Sequence, residues 1–240
     1  EIANRHGLRL WLENYGHWGF LSEFLLYGSQ TDEVAGEFWE SSDPIGNVEC
    51  RAAASAAHIY GMNNVYAEAF TSERNYKQSP ATLKRWCDCA FGTGVNHMIL
   101  HVYIHQPQEE KPGIIEWFGT AFNRHNIWFD RSGPFIDYMR RGAVMLKAGR
   151  PVADVSYYIG ENAPSMQGPM EPELPPGFDF DSINSDALIR LARGENGRLV
   201  LPGGASYAVL VLPRHREMRP EVGEAVRRLV REGVIVVGPR

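Results

Sequence analysis

The sheet structure of this chain is best read from one stretch, Asn64-Val65-Tyr66-Ala67-Glu68-Ala69-Phe70-Thr71, where an apolar run ends beside one carboxylate and a polar turn. Similar runs lie at residues 8–15, which also end near an acid, and at residues 97–106, which carry histidines. Each run predicts a strand with polar groups at its carboxyl end. Because (β/α)8 barrels build their active sites at that end of the strands, the pattern favours a barrel enzyme.

Helix-favouring segments separate these strands. Residues 48–60 are rich in alanine, and residues 80–91 begin with a proline, so both favour helix. The strand and helix alternation predicts a parallel sheet. Residues 16–47 are predicted to form one long loop, whose many aromatic residues favour an ordered, functional loop over a disordered one. The predicted elements are strands at 7–15, 64–70 and 97–104, and helices at 48–60, 80–91 and 134–148.

The second part of the chain predicts another set of strands and helices. A proline-rich stretch follows its first strand, and the last predicted strand comes just before the end of the sequence. We therefore expect an internal piece of a longer protein, with one domain at 1–148 and the start of a second α/β domain at 149–240. The predicted elements are strands at 151–158, 207–213 and 234–237, and helices at 181–192 and 220–232.

Composition excludes several classes of protein. The net charge of −5 and the scattered basic residues argue against a nucleic-acid partner. No run approaches the roughly 20 apolar residues that a membrane-spanning helix requires. The three cysteines, Cys50, Cys87 and Cys89, cannot all pair, and we expect them to be small buried residues on helices. The first residues lack a starting methionine and the apolar core of a signal peptide.

Glu68 is the strongest catalytic candidate. Strand alternation predicts that Tyr66, Glu68 and Phe70 point to one side, and at the end of a barrel strand that side can face the active site. The small neighbours Ala67 and Ala69 leave space around the carboxylate. The alternative is a surface glutamate at the end of a strand.

The histidine run predicts a second set of ligands. His101, Tyr103 and His105 would share one face of the predicted strand 97–104. One strand supplies too few ligands for zinc, so hydrogen bonds to a substrate are the favoured role. His101 could equally be a core histidine, whereas His105 lies nearer the strand end.

The acidic residues between positions 13 and 37 suggest a metal. Oxygen-rich clusters suit calcium, which takes six to eight oxygen ligands. A solvated acidic loop would have the same composition, and no segment matches an EF-hand loop. The acids in question are Glu13, Glu23, Asp32, Glu33 and Glu37.

Several stretches together resemble glycoside hydrolase family 106, the α-L-rhamnosidases. These are LRLWLENYGHWGF (8–20), GEFW (36–39), ASAAHIYG (54–61), AEAFT (67–71) and HVYIHQP (101–107), with GTAFNR (119–124) and VADV (152–155) continuing the likeness. The resemblance implies an α/β fold: the C-terminal part of a (β/α)8 TIM barrel at 1–148, then the beginning of a flavodoxin-like (glutamine amidotransferase-like) domain at 149–240.

The resemblance also implies an inverting, calcium-assisted hydrolysis of terminal α-L-rhamnosides, with a carbohydrate substrate. It makes Glu68 the general base on the penultimate barrel strand, places the general acid upstream of residue 1, and makes Glu13 and Glu37 calcium or sugar ligands. This piece alone would then be inactive. Export to the periplasm or the medium is expected for the full-length enzyme. Aromatic side chains suited to the apolar patch of rhamnose are Trp11, Trp18, Trp39 and Tyr103.

Two alternatives remain open. Another barrel glycosidase, such as a β-galactosidase, shares the order of a barrel followed by a flavodoxin-like domain. A non-catalytic carbohydrate-binding relative would keep the aromatic cleft and lack the acid.

Overall fold

The computed structural model describes residues 2–13, 23–40, 44–162, 165–166, 170–215 and 217–239, with only the backbone described for 44–47. The elements of the first part are α1 (Ile2–Arg5), β1 (Trp11–Glu13), α2 (Phe24–Gly28), β2 (Glu33–Trp39), α3 (Pro44–Tyr60), β3 (Val65–Thr71), α4 (Pro80–Gly92), β4 (His97–Leu100) and α5 (Gly133–Lys147). Those of the second part are β5 (Val155–Tyr158), β6 (Phe180–Ile183), α6 (Ser185–Arg190), β7 (Arg193–Glu195), β8 (Arg198–Val200), β9 (Ser206–Tyr207), β10 (Val209–Val211), α7 (Pro220–Arg231) and β11 (Ile235–Val237).

The first sheet contains four strands in sequence order, β1-β2-β3-β4, and every pair is parallel. The predicted parallel sheet is therefore confirmed. The prediction of one long loop over 16–47 is wrong in its described part, because β2 forms an inner strand there. Glu33 and Glu37 alternate with the buried Val34 and Phe38, and Gly36 lies between them, so the segment looked polar and irregular.

Helix α3 lies between the two parallel sheets of the chain. It packs on β2 on one side and on β6 on the other. Five of its alanines are fully buried, because small side chains let the helix approach both sheets closely: Ala52, Ala53, Ala54, Ala56 and Ala57. The helix predicted at 48–60 is confirmed and begins four residues earlier.

The second sheet has the order β11-β10-β5-β6, again with parallel pairs. A small antiparallel sheet, β7-β8-β9, was not predicted. It contains the turn Asn196-Gly197, where both residues have positive φ values of 52° and 77°.

Three predicted boundaries in the second part and at the end of the first sheet are wrong. The helix predicted at 181–192 is strand β6 followed by the short α6, because the buried Asp181 and Ser182 belong to the sheet. The strand predicted at 207–213 is divided into β9 and β10. The strand predicted at 97–104 stops at Leu100.

The remaining predictions have mixed outcomes. Cys50 and Cys87 are buried and free, whereas Cys89 is exposed on the outer side of α4 and contradicts the expectation of burial. Burial raises the pKa of the Cys50 thiol, so this residue is a poor nucleophile. Among the described residues, no helix combines the length and the apolar character needed to cross a bilayer.

Candidate active site

The first sheet has one apolar face and one polar face. Val34, Phe38, Ala67 and Ala69 are buried in the core that α3 and α4 share with the sheet. Strand alternation places the acidic residues on the opposite face. Glu37 and Glu68 stand directly beside each other in the register of β2 and β3. The polar face therefore brings together carboxylates from neighbouring strands, Glu13, Glu37 and Glu68.

Glu68 is held by a residue that the alternating pattern did not identify. The register of β2 and β3 shifts after Phe38, and Phe70 adopts a positive φ of 69°. This bulge directs Phe70 into the core, where its ring lies 5.1 Å from that of Phe38. It also brings Thr71 to the side of Glu68, and the Thr71 hydroxyl donates a hydrogen bond of 2.7 Å to Glu68 Oε1. The prediction that Phe70 shares a face with Glu68 is thus wrong.

His101 is the second residue beside Glu68. Its Nδ1 lies 3.6 Å from Glu68 Oε1, and the two side chains are 24% and 26% exposed. This distance is too long for a hydrogen bond but suits an ion pair when the imidazole is protonated. Among the described residues, Glu68 Oε2 has no hydrogen-bond partner from the protein, whereas Oε1 accepts from Thr71.

Tyr103 and His105 do not share a strand face with His101. Strand β4 ends at Leu100, so the alternation assumed over 101–105 does not apply. Tyr103 is 63% exposed and His105 is also exposed, on the segment beyond the strand. Gln106 anchors that segment through hydrogen bonds in both directions with the backbone of Ile114.

Trp11 lies far from Glu68 along the strands. It pairs in register with Glu33, and the register of β2 and β3 puts Glu68 four residues nearer the carboxyl end, roughly 13 Å away. The indole packs edge-on against Tyr66, with ring centroids 6.4 Å apart. Trp11 is therefore not brought beside Glu68, and Trp18 lies outside the described residues.

Glu13 lies partly buried on the polar face of the first sheet. Its Oε1 is buried and has no hydrogen-bond partner among the described residues. Burial, with the negative charges of Glu68 and Glu49, raises the pKa of Glu13 to about 7. The site thus favours either a proton or a cation at this carboxyl. Glu49 was missed from the sequence, where it resembles an ordinary polar residue of α3.

Glu37 is almost completely buried. The indole Nε1 of Trp39 donates a hydrogen bond of 2.5 Å to Glu37 Oε1. The Trp39 ring packs near Phe118, with centroids 5.7 Å apart. Trp39, suggested as an aromatic neighbour of a sugar, therefore lies beside one of the two predicted metal ligands.

The other acids of the predicted calcium cluster have structural roles. Glu23 caps α2 by accepting from the backbone of Leu25 at 2.8 Å, and it also accepts from Asn184. Asp32 accepts from the backbone N–H of Leu10 at 2.7 Å, and Glu33 pairs with Arg9 at 2.7 Å. The five acids therefore do not form one cluster. Within the described ranges, no group of three or more His, Cys, Asp or Glu side chains is arranged to hold a metal.

Comparison with known proteins identifies the family. Residues 1–240 match the family model Glyco_hydro_106, described as alpha-L-rhamnosidase. The chain belongs to glycoside hydrolase family 106. The resemblance found in the sequence is thus confirmed over the whole chain, and the polar face of the first sheet belongs to a member of a glycosidase family.

Two relatives of this family member are similar over its full length. A solved rhamnosidase structure from Novosphingobium sp. PP1Y superposes with a TM-score of 0.88 at 32% identity, over 99% of this chain and 24% of that one. A protein of Formosa agariphila, which carries the provisional name beta-glucuronidase, is 34% identical over 100% of this chain and 20% of its own length. The chain thus spans about a quarter or less of either relative.

Proposed function

We propose that the protein is an α-L-rhamnosidase that removes terminal α-L-rhamnosyl residues from plant or microbial glycans with inversion, and that Glu68 is its general base. The observation that carries the proposal is the Thr71 hydroxyl bonded to Glu68 Oε1 at the carboxyl end of β3. That bond fixes one oxygen of the carboxylate and leaves the other for water. The family membership supports the choice of rhamnoside.

The chemistry of inversion requires two carboxyl groups. One protonates the leaving oxygen, and an ionised carboxylate removes a proton from water on the opposite face of the sugar, with the pair roughly 6.5–9.5 Å apart. Glu68 takes the second role, and the Nδ1 atom of His101 lies 3.6 Å from its Oε1. We assign the general acid to a segment outside residues 1–240, which would leave this stretch inactive alone.

Calcium is part of the proposal, with Glu13 and Glu37 as its ligands. The buried Oε1 of Glu13, which has no hydrogen-bond partner among the described residues, supports a cation there, because a positive charge would compensate its burial. Two carboxylates provide fewer than the six to eight oxygens that calcium takes, so sugar hydroxyls and water would complete the shell. When bound, the ion would orient the sugar hydroxyls and favour the charged carboxylates.

We extend the proposal to architecture and location. The four consecutive parallel strands support a barrel in the first part, and the parallel β11-β10-β5-β6 sheet supports a flavodoxin-like domain in the second. The division at residues 148 and 149 follows α5. Action on large glycans would require export, which cell fractionation of the full-length protein would test.

The deciding experiment follows hydrolysis of an aryl α-L-rhamnoside by the full-length protein, using proton NMR. We expect β-L-rhamnose as the first product. Chelation should weaken the reaction, and Glu68→Gln should lower kcat about 10²- to 10⁴-fold. The α-anomer appearing first would contradict inversion. An aryl β-D-glucuronide is the second substrate, because one relative is named for that activity; preference for it would replace the rhamnoside assignment.

A further inference from the structure

A cavity of about 230 Å³ lies at the opposite end of the first sheet from Glu68. It is lined by Val65 and Asn96, which begin or precede β3 and β4, and by residues of α3, of β6 and of the segment after α5. Its volume is slightly smaller than that of most ligand sites, so it suits a small molecule. Residues of both parallel sheets line the cavity. None of these lining residues has a role in the proposed hydrolysis.

His58 presents an oriented nitrogen to this cavity. Its side chain is only 10% exposed, and its Nδ1 lies 2.9 Å from Asp181 Oδ2. Asp181 also accepts hydrogen bonds from the Ser55 and Tyr207 hydroxyls, at 3.0 and 2.9 Å. These three donors require a charged carboxylate, so the imidazole proton resides on Nδ1. In the neutral imidazole Nε2 is then an acceptor, and it lies beside Gly94, where an added Cβ would be 3.8 Å from it.

Two arginines, Arg51 and Arg150, line the cavity together with Asp179 and Asp181, whose partners are Arg51 and His58. Arg51 pairs with the half-exposed Asp179 at 3.1 Å and donates to the Gly92 carbonyl. Arg150 packs its guanidinium against Gly204. Over the described part of the chain, no carboxylate pairs with Arg150, so its charge is available to a ligand. A bidentate interaction with a carboxylate matches the geometry of its donors.

The rest of the cavity wall is apolar, and at its glycines no side chain covers the backbone. Phe91, Leu146 and Val152 supply carbon surface. Gly61, Gly94 and Gly203 permit close approach to the main chain. This combination of a carboxylate-binding cation, a hydroxyl-binding nitrogen and an apolar wall matches a sugar acid.

We propose that this cavity binds a small hydroxylated carboxylate of about monosaccharide size. Arg150 binds the carboxylate, and His58 Nε2 accepts a hydrogen bond from a ligand hydroxyl. A bound ligand contacts elements of both sheets and so stabilises the packing between them. This site is independent of the proposed hydrolysis at Glu68.

Three probes test the site in the full-length protein by isothermal titration calorimetry. They are D-glucuronate, D-glucose, which replaces the carboxylate by a hydroxymethyl group, and acetate, which lacks the hydroxyls. All titrations contain excess L-rhamnose to occupy the proposed catalytic site. We expect saturable binding of D-glucuronate, with glucose and acetate each about tenfold weaker or more. Equal affinity for glucose and glucuronate, or no binding of glucuronate, would overturn the proposal.

Two variants locate the binding. Arg150→Gln removes the exposed cation, and His58→Asn keeps a donor for Asp181 while removing the acceptor nitrogen. Each should weaken D-glucuronate binding about tenfold. If His58→Asn does not fold, Arg150→Gln alone still tests the proposal. The Arg150 side chain is exposed, so replacing it should leave the fold intact. Unchanged affinity in Arg150→Gln would assign the binding elsewhere and refute the site.

Discussion

Thr71 and Glu68 are joined by a hydrogen bond of 2.7 Å that exists because β3 contains a bulge. In a regular strand, residue 70 would face the same side as Glu68, and residue 71 would face the core. The left-handed conformation of Phe70 exchanges these two positions. The orientation of the proposed base is thus set by an irregular backbone whose cost is offset by burying the Phe70 ring.

Removing the Thr71 hydroxyl should reduce activity without unfolding the protein. Thr71→Val keeps the shape and β-branching of the side chain but frees Glu68 to rotate. We expect kcat to fall about tenfold with KM nearly unchanged, since a positioned carboxylate matters mainly in the transition state. Steady-state hydrolysis of an aryl α-L-rhamnoside by the full-length protein measures this. Thr71→Ser is the matched control and should retain most of the activity; equal losses in both variants would argue against the hydrogen bond.

Glu13 should make stability depend on pH. Its pKa is raised to about 7 in the folded protein, first by burial and then by the charges of Glu68 and Glu49. The unfolded chain releases this proton near its ordinary value, so the stabilisation is complete below about pH 4.5 and is lost as pH rises through 7. Glu13→Gln should therefore gain stability relative to wild type between pH 5 and pH 8, by about 1 to 2 kcal/mol after discounting for solvent screening.

Denaturant unfolding of both proteins at the two pH values measures the Glu13 effect, in calcium-free buffer. Calcium should then stabilise the wild type more at pH 8 than at pH 5, because the proton and the cation compete for one carboxyl. A calcium effect of the same size in Glu13→Gln would remove this residue from the proposed ligand set.

Gly36 should not tolerate a side chain. A Cβ at this position would lie 2.7 Å from the backbone carbonyl carbon and oxygen of Glu49, and backbone atoms cannot move aside as side chains do. We expect Gly36→Ala to destabilise the protein by about 1 to 3 kcal/mol, the range for overpacking. Gly92→Ala is the control, since a Cβ there meets nothing within 4 Å and should change stability by less than about 1 kcal/mol. Thermal unfolding compares the two.

The sequence predicted the parallel order of β1, β3 and β4 because strand runs ending in polar residues alternate with helix-favouring segments. It did not predict β2, whose two acids face the polar side and whose glycine is required by α3. The bulge at Phe70 carries no local signal, since phenylalanine rarely adopts a positive φ. Only the packing of its ring against Phe38 accounts for it.

The sequence predicted only part of the candidate site, because the sequence pattern identifies strand ends and not the tertiary contacts made there. Glu68 and His101 could be identified from strand ends, and the structure brings them within 3.6 Å of each other. The contact of Glu68 with Thr71 and the interaction of Glu13 with Glu49 depend on tertiary packing, which periodicity does not encode. Likewise, the acids Asp32 and Glu33 looked like metal ligands because the sequence does not show their partners, the Leu10 amide and Arg9.

Asp181 should be essential for joining the two sheets. It is buried on β6, and its oxygens accept from Ser55 and His58 of α3 and from Tyr207 of β9. Burial alone would raise its pKa, but the hydrogen bonds from His58 and Tyr207, with the charge that His58 carries when it is protonated, lower that pKa below the ordinary value. Its charged form therefore stabilises the fold above about pH 4, and that stabilisation is lost as pH falls through the lowered pKa.

Asp181→Asn keeps the shape but places an amide where three donors converge, so one donor must lose its partner. We expect a loss of about 3 to 5 kcal/mol, the range for breaking a buried charged network. Tyr207→Phe removes a single donor and should cost only about 1 to 2 kcal/mol. Urea unfolding at pH 7 ranks the variants. A smaller loss for Asp181→Asn than for Tyr207→Phe would show that the carboxylate does not organise this junction.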